Sequence, residues 1–275
     1  MRPIAVSLII SAAASITLCA VFGIFPFLIP IFLVISAALN IAIWLVLWIF
    51  SLFVSKKKIY EKPSEFYTAL LNFGYAYICE GARLKVRTSG IEKLPEKPFL
   101  LVTNHLSNLD NMVQVLALRP RKIAYITKQS LFKIPIVGRI ITRCCYISID
   151  RKSLKSGKNS ADAAEDFINR GILSIGVYPE GTRGDGKTLG KFHAGCFKIA
   201  LKTGCPVVVA AIQGTINARK RMPFRSTRVS FDIIEVINPE GFKSVELSET
   251  VRKKIENYIN GGQENDSSSL QSACM

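Results

Sequence analysis

Residues 99–110 place a histidine and an aspartate where the two could act together. The apolar run Phe99–Thr103 is typical of a buried strand, and His105 follows its carboxyl end, with Asp110 five residues later. Ligands of open α/β sheets bind at that end of the strands, and an imidazole becomes a general base when a carboxylate holds its other ring nitrogen in the required tautomer. The alternative is a histidine satisfied by nearby backbone and an Asp110 favoured only by a helix dipole. The spacing alone leaves both roles open.

A second group of polar residues follows another apolar stretch. Residues 172–178 read as a strand, and the segment after them contains Glu180, Gly181, Thr182 and Arg183. An arginine fork suits phosphate, a threonine adds a hydroxyl, and a glycine lets backbone approach a ligand closely. The alternative is a surface turn in which Arg183 pairs with Glu180. Because both groups follow strands, we expect them to meet at one sheet edge, which favours an anion site.

Cysteine and histidine spacing argues against metal and nucleophile chemistry. The sequence contains seven cysteines, an odd number, and no Cys-x-x-Cys spacing. This fits a domain in a reducing environment, in which free cysteines pack as small apolar side chains. His105 and His193 are the two histidines, and the pattern contains no zinc-like cluster and no G-x-S-x-G nucleophile motif. We therefore expect no bound metal, and His193 reads as a surface residue.

Alternating strand and helix patterns after residue 59 predict an α/β domain with a mostly parallel sheet flanked by helices. The predicted strands are Leu84–Thr88, Phe99–Thr103, Ile123–Thr127, Tyr146–Ile149, Ile172–Val177, Val207–Ile212 and Arg228–Ile237. The predicted helices are Phe66–Glu80, Asn108–Leu118, Ser160–Asn169, Gly195–Lys202 and Ser248–Ile259.

The stretch Pro3–Ser55 contains 53 residues without a charged side chain or a histidine. That length accommodates two membrane helices, about Ile4–Phe22 and Ile31–Val54, separated at a segment with two prolines. Basic residues flank the pair on its outer ends, which places both ends in the cytoplasm by the positive-inside rule. A shallow hairpin in one leaflet fits the same charges. A cleaved signal peptide is disfavoured because the hydrophobicity continues through the second helix.

Composition agrees with this division of the chain. Of 275 residues 49% are hydrophobic, the mean hydropathy is +0.28, and 36 basic against 20 acidic residues give a net charge of +16. The charged residues lie outside the apolar stretch Pro3–Ser55. This separation of apolar and charged residues along the chain excludes a disordered protein, a small disulfide scaffold and an ordinary soluble enzyme. We expect a membrane anchor over 1–58, a catalytic domain over 59–260 and a disordered tail over 261–275. The scattered charge matches no nucleic-acid motif and suits lipid headgroups instead.

Four blocks between Phe99 and Gly214 together resemble the motifs of the glycerolipid acyltransferase family, most closely its bacterial 1-acylglycerol-3-phosphate acyltransferases. The blocks are Asn104-His105-x4-Asp110; Lys128 through Pro135 with Gly138 and residues 147–151; residues 178–183; and residues 204–210. The chain departs from the family pattern at Cys145, where a glycine is usual, and at Val209, where a proline is usual.

The resemblance implies a mechanism without a covalent acyl-enzyme and without a cofactor. His105 would deprotonate the acceptor hydroxyl, and Asp110 would orient the imidazole. Substrate binding would fall to Asn104, Lys128, Arg151, Glu180, Gly181, Thr182 and Arg183. Among these, Arg183 and Arg151 are the best phosphate partners, and Lys128 is a candidate for stabilising the oxyanion.

The family's activity implies the partners. The acyl donor would be acyl-CoA or acyl carrier protein, and the acceptor lysophosphatidic acid, whose free 2-hydroxyl would be acylated to give phosphatidic acid at the cytoplasmic side of the cell membrane. The motifs leave other acceptors open, namely glycerol 3-phosphate, a lysophospholipid or a lyso-aminolipid. A non-catalytic lipid-binding membrane protein is a further alternative, which the intact histidine and aspartate disfavour.

Overall fold

The computed structural model describes residues 2–56, 58–186, 188–222 and 224–272, without the side chains of Pro26 and residues 262–272. It contains two compact units, one from residues 1–81 and 130–145, the other from 82–129 and 146–275. The helices are α1 (Pro3–Phe22), α2 (Leu28–Leu52), α3 (Glu65–Gly81), α4 (Leu109–Ala117), α5 (Val137–Arg143), α6 (Leu154–Asn169), α7 (Lys198–Thr203), α8 (Ala218–Arg221) and α9 (Ser244–Ser272). The strands are β1 (Leu84–Ser89), β2 (Leu100–Thr103), β3 (Ile123–Lys128), β4 (Ile147–Ile149), β5 (Ser174–Val177), β6 (Val207–Gln213) and β7 (Thr227–Ile237).

The first unit is helical and continues past residue 58, where the charge pattern predicted the end of the anchor, because α3 packs on α1 and α5. Small side chains four residues apart form the buried stripe of α1: Ser7, Ser11, Ser15 and Cys19. Their size lets neighbouring helices approach closely. Glu80 of α3 accepts hydrogen bonds from Ile4 N (2.7 Å) and Ala5 N (3.0 Å), which satisfies two of the free N–H groups at the start of α1.

Helices α1 and α2 are long and apolar enough to cross a membrane, and large apolar side chains cover their outward faces. At 1.5 Å per residue they span about 30 Å and about 37 Å. The break between them agrees with the prediction: Gly23 ends α1 in the left-handed conformation (φ +65°). The second helix begins earlier than expected, because Pro30 lies in its first turn, where a missing N–H costs nothing. Both helices are consistent with membrane association.

The second unit is built on a seven-stranded sheet with the order β1-β7-β6-β2-β5-β3-β4. The predicted α/β class with a mostly parallel sheet is confirmed, because β7 on β6 is the antiparallel pair and the other neighbouring strands are parallel. The central strands β2, β5 and β6 are buried on both faces, which explains their continuous apolar runs. The carboxyl ends of β6, β2, β5, β3 and β4 therefore lie along one edge of the sheet.

Two helices differ in extent from the sequence prediction. Helix α6 begins six residues before the predicted Ser160, because the Ser153 side chain accepts a hydrogen bond from Ser156 N and caps the helix there. Helix α9 starts at Ser244 and continues to Ser272, through residues whose composition predicted a disordered tail from Gly261; no proline interrupts this stretch. The last residues of that predicted tail, 273–275, lie outside the described residues.

Candidate active site

The structure brings His105 and Asp110 together in the loop between β2 and the first turn of α4. His105 Nδ1 lies 2.8 Å from Asp110 Oδ2, and the same oxygen accepts hydrogen bonds from Leu106 N (2.6 Å) and Ser107 N (2.7 Å). Because a carboxylate only accepts, Nδ1 carries the proton, which leaves the lone pair of a neutral imidazole on Nε2. The His105 side chain is 15% exposed and Asp110 is fully buried. This arrangement satisfies the geometric requirement for a general base.

Thr215 holds the second oxygen of Asp110. Its hydroxyl donates to Oδ1 over 2.5 Å, and Thr215 is itself buried just after the end of β6. Gly214, before it, has φ +89° and lies so close to β7 that a Cβ there would stand 2.2 Å from the Arg228 carbonyl oxygen. The glycine thus allows the turn that places Thr215 against Asp110. Four donors fix the Asp110 carboxylate.

The face of the His105 ring rests on Tyr178, with ring centroids 4.1 Å apart and planes 18° from parallel. The Tyr178 hydroxyl lies 3.3 Å from Gln114 Oε1, which also accepts from the buried Tyr125 hydroxyl over 2.7 Å. Asp110 fixes the edge of the imidazole, and Tyr178, held by Gln114, fixes the tilt of the ring. The ring is therefore held in one orientation before any substrate arrives.

The turn after β5 is tied to the backbone of His105. Glu180 is 7% exposed; its Oε1 accepts from His105 N (2.9 Å) and its Oε2 from Gly190 N (3.0 Å). Gly184 N donates to the His105 carbonyl over 2.7 Å. Glu180 forms no ion pair with Arg183 in the described part of the chain, so the surface-turn alternative does not hold. The carboxylate holds the turn against the catalytic loop.

The remaining members of this turn face outward. Gly181 has φ +67°, a left-handed conformation that suits glycine, and a Cβ there would stand 3.2 Å from the His193 ring. Thr182 and Arg183 are exposed beside it. His193 is exposed, as predicted, but its position next to Gly181 was not expected. A backbone turn with an outward hydroxyl and guanidinium is suited to an anionic group.

Asn104 hydrogen-bonds to β6, and the substrate-binding role that the resemblance implied stays a prediction. It is 2% exposed, its Nδ2 donates to the Ile212 carbonyl over 2.9 Å, and its Oδ1 accepts from Ile212 N over 2.8 Å. Both polar ends of the amide are occupied by β6. Asn104 therefore fastens the catalytic loop to the neighbouring strand.

Replacing Asn104 with alanine is expected to lower stability by about 2 to 4 kcal/mol, because two buried backbone groups of Ile212 lose their partners. Thermal unfolding of the purified protein measures the loss, with the exposed Asn169→Ala as the matched control. A variant with normal Tm and a raised KM for the acceptor would instead support direct substrate binding.

Lys128 and Arg151 lie at the same sheet edge but farther from the imidazole. Lys128 is the last residue of β3 and Arg151 follows β4, and both side chains are exposed. With strands about 4.8 Å apart, β3 is about 10 Å and β4 about 14 Å from β2. Partial desolvation of the guanidinium lowers the pKa of Arg151 from its ordinary value. Neither residue contacts His105, so their binding roles stay predictions.

Thiols of this unit are poorly suited to nucleophilic catalysis. Burial raises the pKa of Cys196 to about 12 and also raises that of Cys205. A thiol attacks as its thiolate, so these cysteines are inert at neutral pH. In the described residues no cluster of three or more His, Cys, Asp or Glu could hold a metal ion.

Comparisons with known proteins agree with this architecture. A family model described as Acyltransferase matches residues 85–213. The chain is 31% identical over 182 residues to a chloroplast 1-acyl-sn-glycerol-3-phosphate acyltransferase of Brassica napus, covering 64% of this chain and 51% of that protein. It is 27% identical over 170 residues to a protein of the same name from Haemophilus influenzae, covering 62% and 70%.

A solved structure shares the fold. The 1-acyl-sn-glycerophosphate acyltransferase PlsC of Thermotoga maritima superposes with a TM-score of 0.58 at 21% identity, over 96% of this chain and 98% of the other. Among the curated relatives, the chain spans about half the length of the Brassica protein and 62% of the human beta isoform, to which it is 30% identical over 181 residues, or 64% of this chain. The matched region contains His105, Asp110 and the 180–184 turn. Residues 85–213 are thus similar to acyltransferases, in agreement with the resemblance that the four sequence blocks carry.

Proposed function

We propose that the protein transfers an acyl chain from a thioester to the free 2-hydroxyl of 1-acyl-sn-glycerol 3-phosphate, giving phosphatidic acid. The observation that carries the proposal is the His105–Asp110 pair, whose partly exposed imidazole lies at the sheet edge next to the turn that contains Arg183. The names of the matched relatives support the same acceptor.

The proposed chemistry is direct attack of the acceptor on the donor. His105 Nε2 takes the proton of the 2-hydroxyl while the hydroxyl oxygen bonds to the thioester carbonyl carbon. The tetrahedral oxyanion then collapses, the carbon–sulfur bond breaks, and the imidazolium returns the proton to the leaving thiolate. Asp110 stabilises the imidazolium during this cycle, the role that a carboxylate has in hydrolase triads. The enzyme forms no covalent bond to the acyl chain, and the reaction needs no cofactor.

Arg183 is the proposed partner of the acceptor phosphate. It is exposed, it belongs to a turn fixed to the His105 backbone by Glu180 and Gly184, and it has no ion-pair partner among the described residues. A phosphate at this turn would bring the glycerol hydroxyl towards the imidazole. Arg151 and Lys128 add positive charge along the same edge, farther from the reacting atoms.

A transfer assay with the detergent-solubilised full chain tests the function. The expected result is transfer from labelled acyl-CoA or acyl carrier protein to 1-acyl-sn-glycerol 3-phosphate, at a higher kcat/KM than to glycerol 3-phosphate, a lysophospholipid or a lyso-aminolipid. Faster turnover of another acceptor would replace the proposed substrate. Binding of these lipids without turnover would leave the non-catalytic alternative.

Replacing Arg183 with alanine is expected to raise the KM for the phosphorylated acceptor about 10- to 100-fold, the effect of losing charge-assisted hydrogen bonds to phosphate. Steady-state kinetics with each substrate varied in turn measures the change. Arg170→Ala, at the exposed end of α6, is the matched control. An unchanged acceptor KM together with a raised thioester KM would contradict this role.

We further propose that α1 and α2 anchor the protein in the cell membrane with the catalytic unit on the cytoplasmic side, where acyl-CoA and acyl carrier protein are found. The full chain is expected to remain in the membrane pellet after alkaline carbonate extraction. An epitope after residue 275 is expected to be digested by protease in inside-out vesicles and protected in intact cells. Release by carbonate would contradict the anchor, and digestion in intact cells would reverse the orientation.

A further inference from the structure

A groove begins beside the catalytic loop and extends away from it. This groove of about 1420 Å³ is lined near the reaction centre by Leu106 and Gly184 and extends across the end of β6 to β7, β1 and the α9 segment 256–261. All of these residues belong to the sheet unit. The proposed mechanism uses only the end of the groove next to His105, so most of this space has no assigned occupant.

Three basic side chains line the far part of the groove on one face of the sheet. Lys85 of β1 is paired in register with Arg228 of β7, and Arg87 lies two residues further along β1, so all three project from the same face. Arg228 lies about 10 Å and Lys85 about 14 Å from β2 at the usual strand spacing. None of the three forms an ion pair with a carboxylate in the part of the chain that the structure describes.

Acidic residues of the groove already have other partners. Asp232 is 2% exposed and accepts from the Ser89 hydroxyl over 2.5 Å. Glu256 pairs with Arg252 over 3.0 Å. Both oxygens of Glu180 accept backbone N–H groups, as described above. The groove therefore presents uncompensated positive charge together with neutral hydrogen-bonding side chains: Gln213, Asn217, Asn257 and Asn260.

We propose that this groove binds the nucleotide end of a coenzyme A thioester, with Lys85, Arg87 and Arg228 holding its phosphates. The inference rests on the proposed function, which needs a thioester donor whose reacting carbon lies at His105 while the acceptor phosphate occupies the Arg183 turn. The diphosphate and the 3′-phosphate of coenzyme A match several unpaired cations, whereas the prosthetic arm of a carrier protein has a single phosphodiester. The amide side chains supply donors and acceptors of the kind that an adenine ring and a ribose require.

The test removes two of the cations without shortening their side chains much. In the full chain, K85Q/R228Q is expected to raise the KM for acyl-CoA at least about tenfold, since each lost charged contact to phosphate corresponds to about an order of magnitude. The same variant is expected to show no comparable rise with acyl-pantetheine, a donor that lacks the nucleotide. K198Q/K253Q removes two exposed cations of α7 and α9 outside the groove and is the matched control.

A binding measurement separates this proposal from the proposed function. Adenosine 3′,5′-diphosphate is expected to bind the wild-type protein by calorimetry and to bind K85Q/R228Q at least about tenfold more weakly. This holds whether or not any acceptor is acylated. The assignment of the groove to coenzyme A would be overturned if both proteins bound adenosine 3′,5′-diphosphate with equal affinity or if the KM for acyl-CoA were unchanged. It would also be overturned if the KM rose only with acyl carrier protein as the donor.

Discussion

Replacing His105 with alanine is expected to lower the rate of acyl transfer by about 10² to 10⁴-fold, the contribution of a well-positioned general base. The reason is specific to this site: within the described residues Nε2 of His105 is the basic atom held at the carboxyl end of β2, with its ring edge fixed by Asp110 and its face by Tyr178. Single-turnover assays with labelled acyl-CoA measure the loss.

Folding is expected to survive this substitution. The His105 ring is partly exposed, Asp110 keeps its bonds from Leu106 N, Ser107 N and Thr215, and the Glu180 bond is made by the His105 backbone. Tm and membrane association of His105→Ala should therefore match wild type. His193→Ala, the same change at the exposed histidine, is the matched control and is expected to keep most of the activity. Turnover of His105→Ala near the wild-type rate would remove the base assignment.

The sequence predicts the parts of the site that are close along the chain. His105 and Asp110 are five residues apart around one strand end, so local geometry limits how far their side chains can separate. Thr215 is 105 residues from Asp110 and reaches it only because β6 is the neighbour of β2. Strand order depends on tertiary packing, and local patterns along a single sequence do not show which strands are neighbours. The contact of Thr215 with Asp110 was therefore not predicted.

The same reason accounts for the role of Asn104. The resemblance implies contact with substrate, which stays a prediction, and the order of the strands places the Asn104 side chain against Ile212 of β6. The apolar pattern predicts Tyr178 as the last residue of a strand. Its ring stacks on the imidazole because β5 lies between β2 and β3 in the sheet. Apolar periodicity located these strands but could not give their neighbours.

Helices α5 and α8 escaped prediction for a different physical reason. They have seven and four residues, and so short a segment gives only a weak periodic apolar pattern, although the six-residue α7 was predicted. Their stability comes from packing rather than from intrinsic propensity. The long apolar helices α1 and α2 were predicted within a few residues because composition alone, over 20 and 25 residues, marks them.

Replacing Asp110 with asparagine is expected to lower kcat about 10² to 10⁴-fold, no more than the loss of His105 itself, with little change in either KM. Oδ2 of Asp110 accepts three hydrogen bonds, so the amide oxygen of the substituted side chain must take that position and its NH₂ group must face Thr215. The Thr215 hydroxyl can rotate to accept from it. The loop thus keeps its hydrogen bonds, and the imidazolium loses the negative charge that stabilises it.

A cycle with His105 distinguishes positioning from a purely structural effect. If Asp110 acts through the imidazole, H105A/D110N is expected to be no slower than H105A alone, because residues that act as a unit are not additive. If Asp110 merely supports the fold, the double variant loses activity additively, its Tm falls, and KM rises for both substrates. Independent losses of that kind would reduce Asp110 to an acid favoured only by the helix dipole, the alternative that the spacing in the sequence leaves open.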